Sequence, residues 1–487
     1  MKAVNKNDHY LIGVDSGSTG IKAVALLGGR ITACAHTRMV YREDGEICEY
    51  DAEAYYDRIA GLIRELTLEL PRDAVCDGIS LVSASGNTLL LKDGKALLPI
   101  FSWRDNRGSE DMEAVLGPVS EAQIHESVGW HKVPKFPLAQ LSWIRRNRPE
   151  ALEQANRICE ASSYINYRLC GEWAMDHSSA TTFYLQDQKK LCWNPETLRL
   201  LDIPEYKLPK LVPVGAKIGY ITAAASEDTG LTIGTPVVAG CYDGAGAARS
   251  AGILRDDQML ISCGTSWVSI YSSKSRRYLL DLGTMVDPYL EQEGRWIGMT
   301  SLGECDIFIN RILDTIIPEN RNRYEEFSRL SAESVPGAHG LLINPMRFRQ
   351  NGSLSGYPVS DVCRALMEGI VYSVKRQMQS IQQGHGRLDI THIYMSGGPS
   401  NSCIWPQIVS DIMNKPVQVS FGSNACAAGA AMIAGIGSGV FCGLRDARSR
   451  LREEVRSYTP DPAAVAFHQQ GYLKFTEKFP GLDENMH

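Results

Sequence analysis

The sequence predicts an α/β protein of two or more domains whose sheets open on antiparallel strands. Three observations predict it. The 487 residues exceed what one ordinary core organises. Short β-branched runs alternate with segments of helical spacing. One layout, an apolar run, a loop of glycine and hydroxyl residues and a second apolar run, occurs at Leu11–Leu26 and again at Met259–Tyr271.

Leu11–Val14 and Ile21–Leu27 read as strands around the loop Asp15-Ser16-Gly17-Ser18-Thr19-Gly20. Gly28-Gly29-Arg30 then turns the chain into a third strand, Ile31–Val40. Asp51–Leu70 carries Tyr55, Ile59, Leu62, Ile63 and Leu66 at helical spacing, with Asp51 as N-cap. Gly78–Ser85 reads as a strand, and Thr88–Leu91, Asp93-Gly94 and Ala96–Ile100 read as a hairpin. Pro204–Pro213 is a proline-rich connection. Pro236–Gly240 is a short buried strand running into "GCYDGAGAARSAGIL".

Met259–Ser262 and Trp267–Tyr271 repeat the opening plan around Cys263-Gly264-Thr265-Ser266. Ser360–Gln383 is an amphipathic helix with Val362, Leu366, Ile370, Val374 and Met378 on one face. His392–Met395 is a strand, and Asn414-Lys415-Pro416 turns a helix end into another. "NACAAGAAMIAGIGSG" is a helix of small residues suited to close packing on a neighbour. From Arg445 the tail is charged and reads as helical, interrupted at Pro460 and Pro462.

A net charge of −6 points away from nucleic acid and anionic membranes. The 13 cysteines are odd in number and contain no Cys-x-x-Cys pair, and the 10 histidines are scattered. That pattern excludes a disulfide scaffold and a zinc cluster, and predicts free thiols in a reducing cytosol. No apolar stretch is long enough to span a bilayer, and the polar Met1–His9 reads as neither leader nor anchor. The expected location is cytoplasmic.

Glycines and hydroxyls in a row offer backbone N–H groups that form an anion nest. Two such loops can grip one polyphosphate, with Ser18, Thr19 and Gly20 on one side and Gly264, Thr265 and Ser266 on the other. Asp15 is a candidate Mg²⁺ ligand, and Lys22 a candidate for neutralising phosphate charge. Asp243 follows a strand's C-terminal end, where ligands of α/β sheets bind. It reads as a helix N-cap or as a general base for a hydroxyl attacking a γ-phosphate. In "FSWRDNR", Trp103, Asp105 and Arg107 stand two apart, and strand geometry sends them to one face, which suits a polyol. Ser396–Asn401 is a strand-to-helix turn or a platform for a flat ring.

Assembled in this order, the chain resembles the carbohydrate kinases of the FGGY family over almost its whole length. "GVDSGSTGIKAV", "WRDNR", "GCYDGAGAARSAG", "SCGTSWV", "RALMEGIVYSV", "MSGGPSNSCIWPQIVSDIMNKPVQV" and "AAGAAMIAG" carry the resemblance. It implies two duplicated actin-like (ribonuclease H-like) ATPase domains, residues 1–245 and 246–487, with a nucleotide cleft between them. It implies ATP and Mg²⁺ as cofactors and phosphorylation of a sugar hydroxyl, of a pentulose first. Asp243 aligns with the catalytic base and Asp15 with the acid near Mg²⁺. Ser18, Thr19, Lys22 and Thr265 align with the phosphate grips, and Gly303, Gly398 and Asn401 fall where nucleotide is held. Trp103, Asp105, Arg107, Ser85 and Lys135 fall on the sugar side.

Some positions depart from the best-known members. Where xylulokinases carry a Gln-Met-His-like run, this chain has Ala84 and Ser85, and the Arg-Glu pair of glycerol kinases is missing too. Gly244 follows the catalytic acid where Asn or Gln is common, and Ser18 replaces the commoner Thr. Another polyol, ketose or sugar acid therefore stands as an alternative substrate. An actin/Hsp70-like ATPase acting on a protein partner explains the paired loops but not the Trp103–Arg107 segment. The implied partners are a sugar and ATP, with no nucleic acid and no membrane; a homodimer is one assembly the resemblance allows.

Overall fold

The computed structural model describes residues 8–117, 119–303, 305–317, 323–350, 354–385 and 388–481. The chain divides into two compact units. The first holds residues 1–252, 286–296 and 426–453, and the second holds 253–285, 297–425 and 454–487. The sequence expectation divides the chain once, near residue 245. In the structure the small-residue helix and its sequel return to the first unit, for a packing reason given below.

The first unit is built on a six-stranded sheet. Its central strand, His9–Ser16, pairs antiparallel with Gly20–Leu27 and parallel with Val75–Ser83. Arg30–Arg38 extends the antiparallel side, and Pro236–Tyr242 and Lys217–Tyr220 complete the other. Alternating side chains send Val14, Ile79 and Val237 onto Ile59 and Ile63 of the helix Ala52–Glu69 and Ile165 of the helix Ala161–Cys170. Asp51 caps the first of these helices as expected, accepting the Ala54 N–H at 2.8 Å. The helix Ala425–Gly437 covers the opposite face, so close that a Cβ on Gly13 would stand 1.9 Å from the Ala427 carbonyl oxygen. On the same helix, a Cβ on Gly429 would stand 2.0 Å from the Gly246 carbonyl oxygen.

The second unit repeats the plan. Gln258–Cys263 pairs antiparallel with Trp267–Ser273 and parallel with His392–Gly397. Arg295–Leu302 lies beyond Trp267–Ser273, and Val417–Val419 lies parallel beyond His392–Gly397. The long helix Val359–His385 buries Val362, Leu366, Ile370 and Val374 as its spacing predicts.

Two sequence expectations are corrected. Asp93-Gly94 turns Leu89–Lys92 into Lys95–Ala96 as expected, but the second strand is broken: only Phe101 returns to the hairpin, exchanging backbone hydrogen bonds with Thr88 at 3.0 Å, and Ile100–Phe101 pairs on its other side with Ile47–Tyr50. Pro99 lies between the two segments and has no N–H for a ladder. The tail is not one interrupted helix. Between the helices Leu444–Arg450 and Pro462–Lys478, Arg456–Tyr458 forms an edge strand on Val417–Val419. Pro462 begins the last helix behind its cap Asp461, because the first helical N–H has no partner to lose.

All thirteen cysteines are free, as expected. Among the described residues no helix is long and apolar enough to cross a membrane.

Candidate functional site

In the first unit three parallel strands end at one level. Ser16 pairs with Ser83, and Ser83 with Tyr242. The Ala84 N–H donates to the Ser16 carbonyl at 2.8 Å, and the Tyr55 hydroxyl donates to Ser16 Oγ at 2.8 Å. This register gathers the loop after Ser16, the loop after Ser83 and Asp243. Sequence separation hides that convergence; the crossover helices between parallel strands create it.

Asp15 stands opposite Lys22 in the antiparallel ladder. Its Oδ1 is buried and has no hydrogen-bond partner. Burial pushes the Asp15 carboxyl up to about 6, against the pull of Lys22. Asp243 opens the helix Asp243–Ala251, whose cap position is Tyr242, so the N-cap reading of Asp243 does not hold. Its Oδ1 accepts the Gly244 N–H at 2.7 Å, and the Tyr242 hydroxyl also bonds the carboxylate. Burial pushes Asp243 up to about 7, and the negative charge of Asp15 adds to the shift. Two buried carboxyls, one raising the other toward neutrality, suit a general base beside a cation site.

Mg²⁺ takes oxygen ligands, keeps several waters and is commonly held by one or two carboxylates plus substrate phosphates. The unpartnered Asp15 Oδ1 fits that demand. Among the described residues no group of three or more His, Cys, Asp or Glu side chains gathers for a resident metal.

The segment after Phe101 is a turn and not a strand, so Trp103, Asp105 and Arg107 do not share a strand face. The Asp105 N–H bonds back to the Ser102 carbonyl at 2.9 Å, and the buried Asp105 carboxylate accepts the Cys48 N–H at 2.9 Å. Arg107 pairs with Asp105 at 2.6 Å and Glu49 at 2.7 Å, and its guanidinium lies 4.0 Å from the Phe101 ring centroid. Asp105 and Arg107 thus satisfy each other and brace the turn. Trp103 stands apart from them: its Nε1 donates to Ser18 Oγ at 2.9 Å, joining this turn to the first glycine loop.

Trp103 also heads an aromatic cluster that the sequence reading missed. Phe136 stacks between Trp103 and Tyr184, with centroids 6.5 and 5.6 Å away. Trp130 meets Phe136, Tyr184 and Tyr242 edge-on, and its buried Nε1 has no partner. The cluster runs from the first loop to the neighbour of Asp243. Phe136 holds it in a left-handed backbone conformation, φ 63°, which is costly for a bulky residue and is found mainly at functional sites. The aromatic beside Lys135 in "KFP" and the tyrosine beside Asp243 are the local signals that were available. Lys135 itself is half-exposed just before the helix Phe136–Asn147. Ser85 is buried, its hydroxyl donating to the Ser83 carbonyl at 3.1 Å.

In the second unit Cys263 and Gly397 are level across parallel strands, so the loops that follow them are neighbours. Thr265 is half-exposed, and its carbonyl accepts the Asp306 N–H at 3.1 Å. That bond ties the second glycine loop to the segment containing Gly303. Gly398 has open space where a side chain would be, and Asn401 packs its carboxamide against the backbone of Gly422. Thr265, Gly303, Gly398 and Asn401 therefore line one end of this sheet.

Residues 10–249 match the N-terminal domain of the FGGY family of carbohydrate kinases, and residues 330–438 match its C-terminal domain. The chain is 26% identical over 464 residues to the L-fuculokinase of Escherichia coli (strain K12), covering 92% of this chain and 96% of that protein. It is 25% identical over 449 residues to a xylulose kinase of Staphylococcus epidermidis, covering 88% of each. The fold is similar to the crystal structure of xylulose kinase from Rhodospirillum rubrum, with TM-score 0.83 and 24% identity over 96% of this chain and 98% of that one.

Proposed function

This chain belongs to the FGGY family of carbohydrate kinases, and from that premise we propose that it transfers the γ-phosphoryl group of ATP to a hydroxyl of a ketose, a pentulose first among them. The observation that carries the reading is Asp243, a carboxyl poised at about 7 at the level where three strand ends meet. Relatives named for L-fuculose and xylulose, both ketoses, support the substrate class.

In this reading the two units divide the work. Asp243 accepts the hydroxyl proton as oxygen attacks phosphorus. Ser18, Thr19 and Lys22 hold phosphate oxygens from the first loop, and Thr265 from the second. Gly303, Gly398 and Asn401 hold the rest of the nucleotide. Asp15 holds Mg²⁺, which when bound spreads the negative charge of the phosphates. Trp103 and Phe136 wall the sugar, Asp105 and Arg107 support that wall, and Ser85 and Lys135 face the sugar's variable end.

A coupled assay of ADP release across pentuloses, hexuloses, polyols and sugar acids tests the reading. Sugar-dependent turnover is expected. ADP release indifferent to every sugar would overturn it in favour of an ATPase acting on a protein partner.

Thr265→Val keeps volume and removes a hydroxyl. It is expected to weaken ATP more than sugar, because a hydrogen bond to a charged group contributes roughly 1.5–3 kcal/mol. Unchanged nucleotide affinity by calorimetry would reduce this loop to a turn.

Ser85→His fills space in the pocket and Lys135→Met removes a mobile charge. Each is expected to reorder kcat/KM among sugars with the KM for ATP nearly constant. A uniform fall for every sugar would remove both residues from substrate choice.

A further inference from the structure

The turn Ser85-Gly86-Asn87 rests on a buried carboxylate. Glu160 stands at the N-cap of the helix Ala161–Cys170 and is fully buried. Its Oε1 accepts the Gly86 N–H at 2.6 Å, and the Asn87 N–H also donates to the carboxylate. Ser162 Oγ donates to Oε2 at 3.2 Å, and Thr182 Oγ1 lies 3.5 Å from Oε1. The turn then reaches outward. Asn87 Oδ1 accepts the Trp103 N–H at 3.3 Å, and Asn87 Nδ2 donates to the Ala84 carbonyl at 2.8 Å. Gln140 Nε2 closes the set on the Gly86 and Ser102 carbonyls, at 3.4 and 2.8 Å.

Adjacent backbone N–H groups in a turn form an anion nest, and a carboxylate accepts both without offering a donor. Burying that carboxyl is costly, so the turn it holds is strongly specified. The same turn carries Ser85 on one side and, through Asn87, the backbone of Trp103 on the other.

We propose that Glu160 is a positioning residue for sugar selection, setting the separation between Ser85 and Trp103 through its grip on the Gly86-Asn87 turn. The inference rests on the sugar-kinase reading above. It deepens that reading by assigning the pocket's width to a residue that touches neither sugar nor nucleotide.

Burial pushes the Glu160 carboxyl up to about 8, and the charge of Asp176 adds to the shift against the pull of the turn N–H groups. Tyr50, Tyr55 and Cys159 also face it, and burial raises all three, which keeps them neutral in this range. An ionised acceptor holds N–H donors more strongly than a neutral acid. The grip therefore tightens, and the KM for sugar falls, as pH rises through about 8.

The test measures kcat and both KM values against pH for wild type, Glu160→Gln, Glu160→Ala and Asn87→Ala. Glu160→Ala is expected to raise the KM for sugar about tenfold, the loss of one charge-assisted hydrogen bond. It should also reorder the sugars, with the KM for ATP nearly constant. Glu160→Gln should keep the wild-type KM below neutrality and miss its fall at high pH. Asn87→Ala leaves the buried carboxylate in place and should raise the KM for sugar alone; with Glu160→Gln it decides the matter even where Glu160→Ala fails to fold. The inference is overturned if Glu160→Gln follows the wild-type pH profile and Asn87→Ala leaves the KM for sugar unchanged, or if both KM values rise together. A wild type without sugar-dependent turnover overturns the kinase reading, and this inference with it.

Discussion

Asp243→Asn is expected to slow phosphoryl transfer by about 10²–10⁴-fold while sugar and ATP still bind, the range lost with a general base. The amide keeps the shape of the carboxylate and the acceptor for the Gly244 N–H, but it cannot take a proton. The wild-type rate should rise with pH through about 7, where Asp243 ionises, and the variant's residual rate should lack that limb. Stability moves the other way. The folded-state pKa lies above the unfolded value, so the native state holds an extra proton. The stability this confers is full below the unfolded value and is lost as pH rises through about 7. At about pH 8 the wild type therefore keeps the buried Asp243 ionised near the charge of Asp15, and Asp243→Asn should melt at a higher temperature than wild type. The difference should vanish at acid pH, where the native carboxyl is already neutral. Near-wild-type turnover by the variant would remove Asp243 from the chemistry, whatever its Tm.

Gly13→Val should be strongly destabilising to the first unit. Gly13 sits in the central strand, and a Cβ there would stand 1.9 Å from the Ala427 carbonyl oxygen and 2.4 Å from the Ala431 nitrogen. Both are backbone atoms of the covering helix, so no rotamer change relieves the clash. The helix must move off the sheet, and Gly429 shows that it has no slack on its other side, where the Gly246 carbonyl touches it. The cost should reach at least the upper end of the roughly 1–3 kcal/mol typical of overpacked cores, since there the side chains can still yield. The denaturation midpoint of the purified variant measures it. A midpoint equal to wild type would mean that the strand and helix are not in backbone contact in solution. The contact also explains why residues 426–453 join the first unit, although they begin 174 positions after residue 252: only small residues on both surfaces allow this approach.

What was legible in the sequence is what local chemistry records. Asp51 caps its helix because a short carboxylate reaches the N–H group three residues ahead. The two glycine loops announce themselves by a period that stops, turns and resumes, and both prove to be hairpin turns at the centre of their sheets. The sequence singled out Asp243 as an acid among glycines and alanines at a strand's end, and the structure adds bonds from its own neighbours, the Gly244 N–H and the Tyr242 hydroxyl. The Trp103–Arg107 segment misled because residues two apart share a face only if the backbone is extended. A turn instead lets Arg107 fold back onto Asp105.

The sequence by itself determined the α/β class, the duplicated strand–loop–strand plan, and the residues that carry charge and hydroxyls to the loops, because each depends on neighbours within a few positions. Tertiary structure alone decided how the aromatic cluster around Trp103 is built. Trp103 finds Ser18 from 85 residues away, and Gly86 finds Glu160 from 74. Trp130 and Phe136 on one connection meet Tyr184 and Tyr242 from two others. No periodicity encodes such meetings. They follow from strand register and from how closely helices approach the sheet, and those are set by the packing of the whole unit.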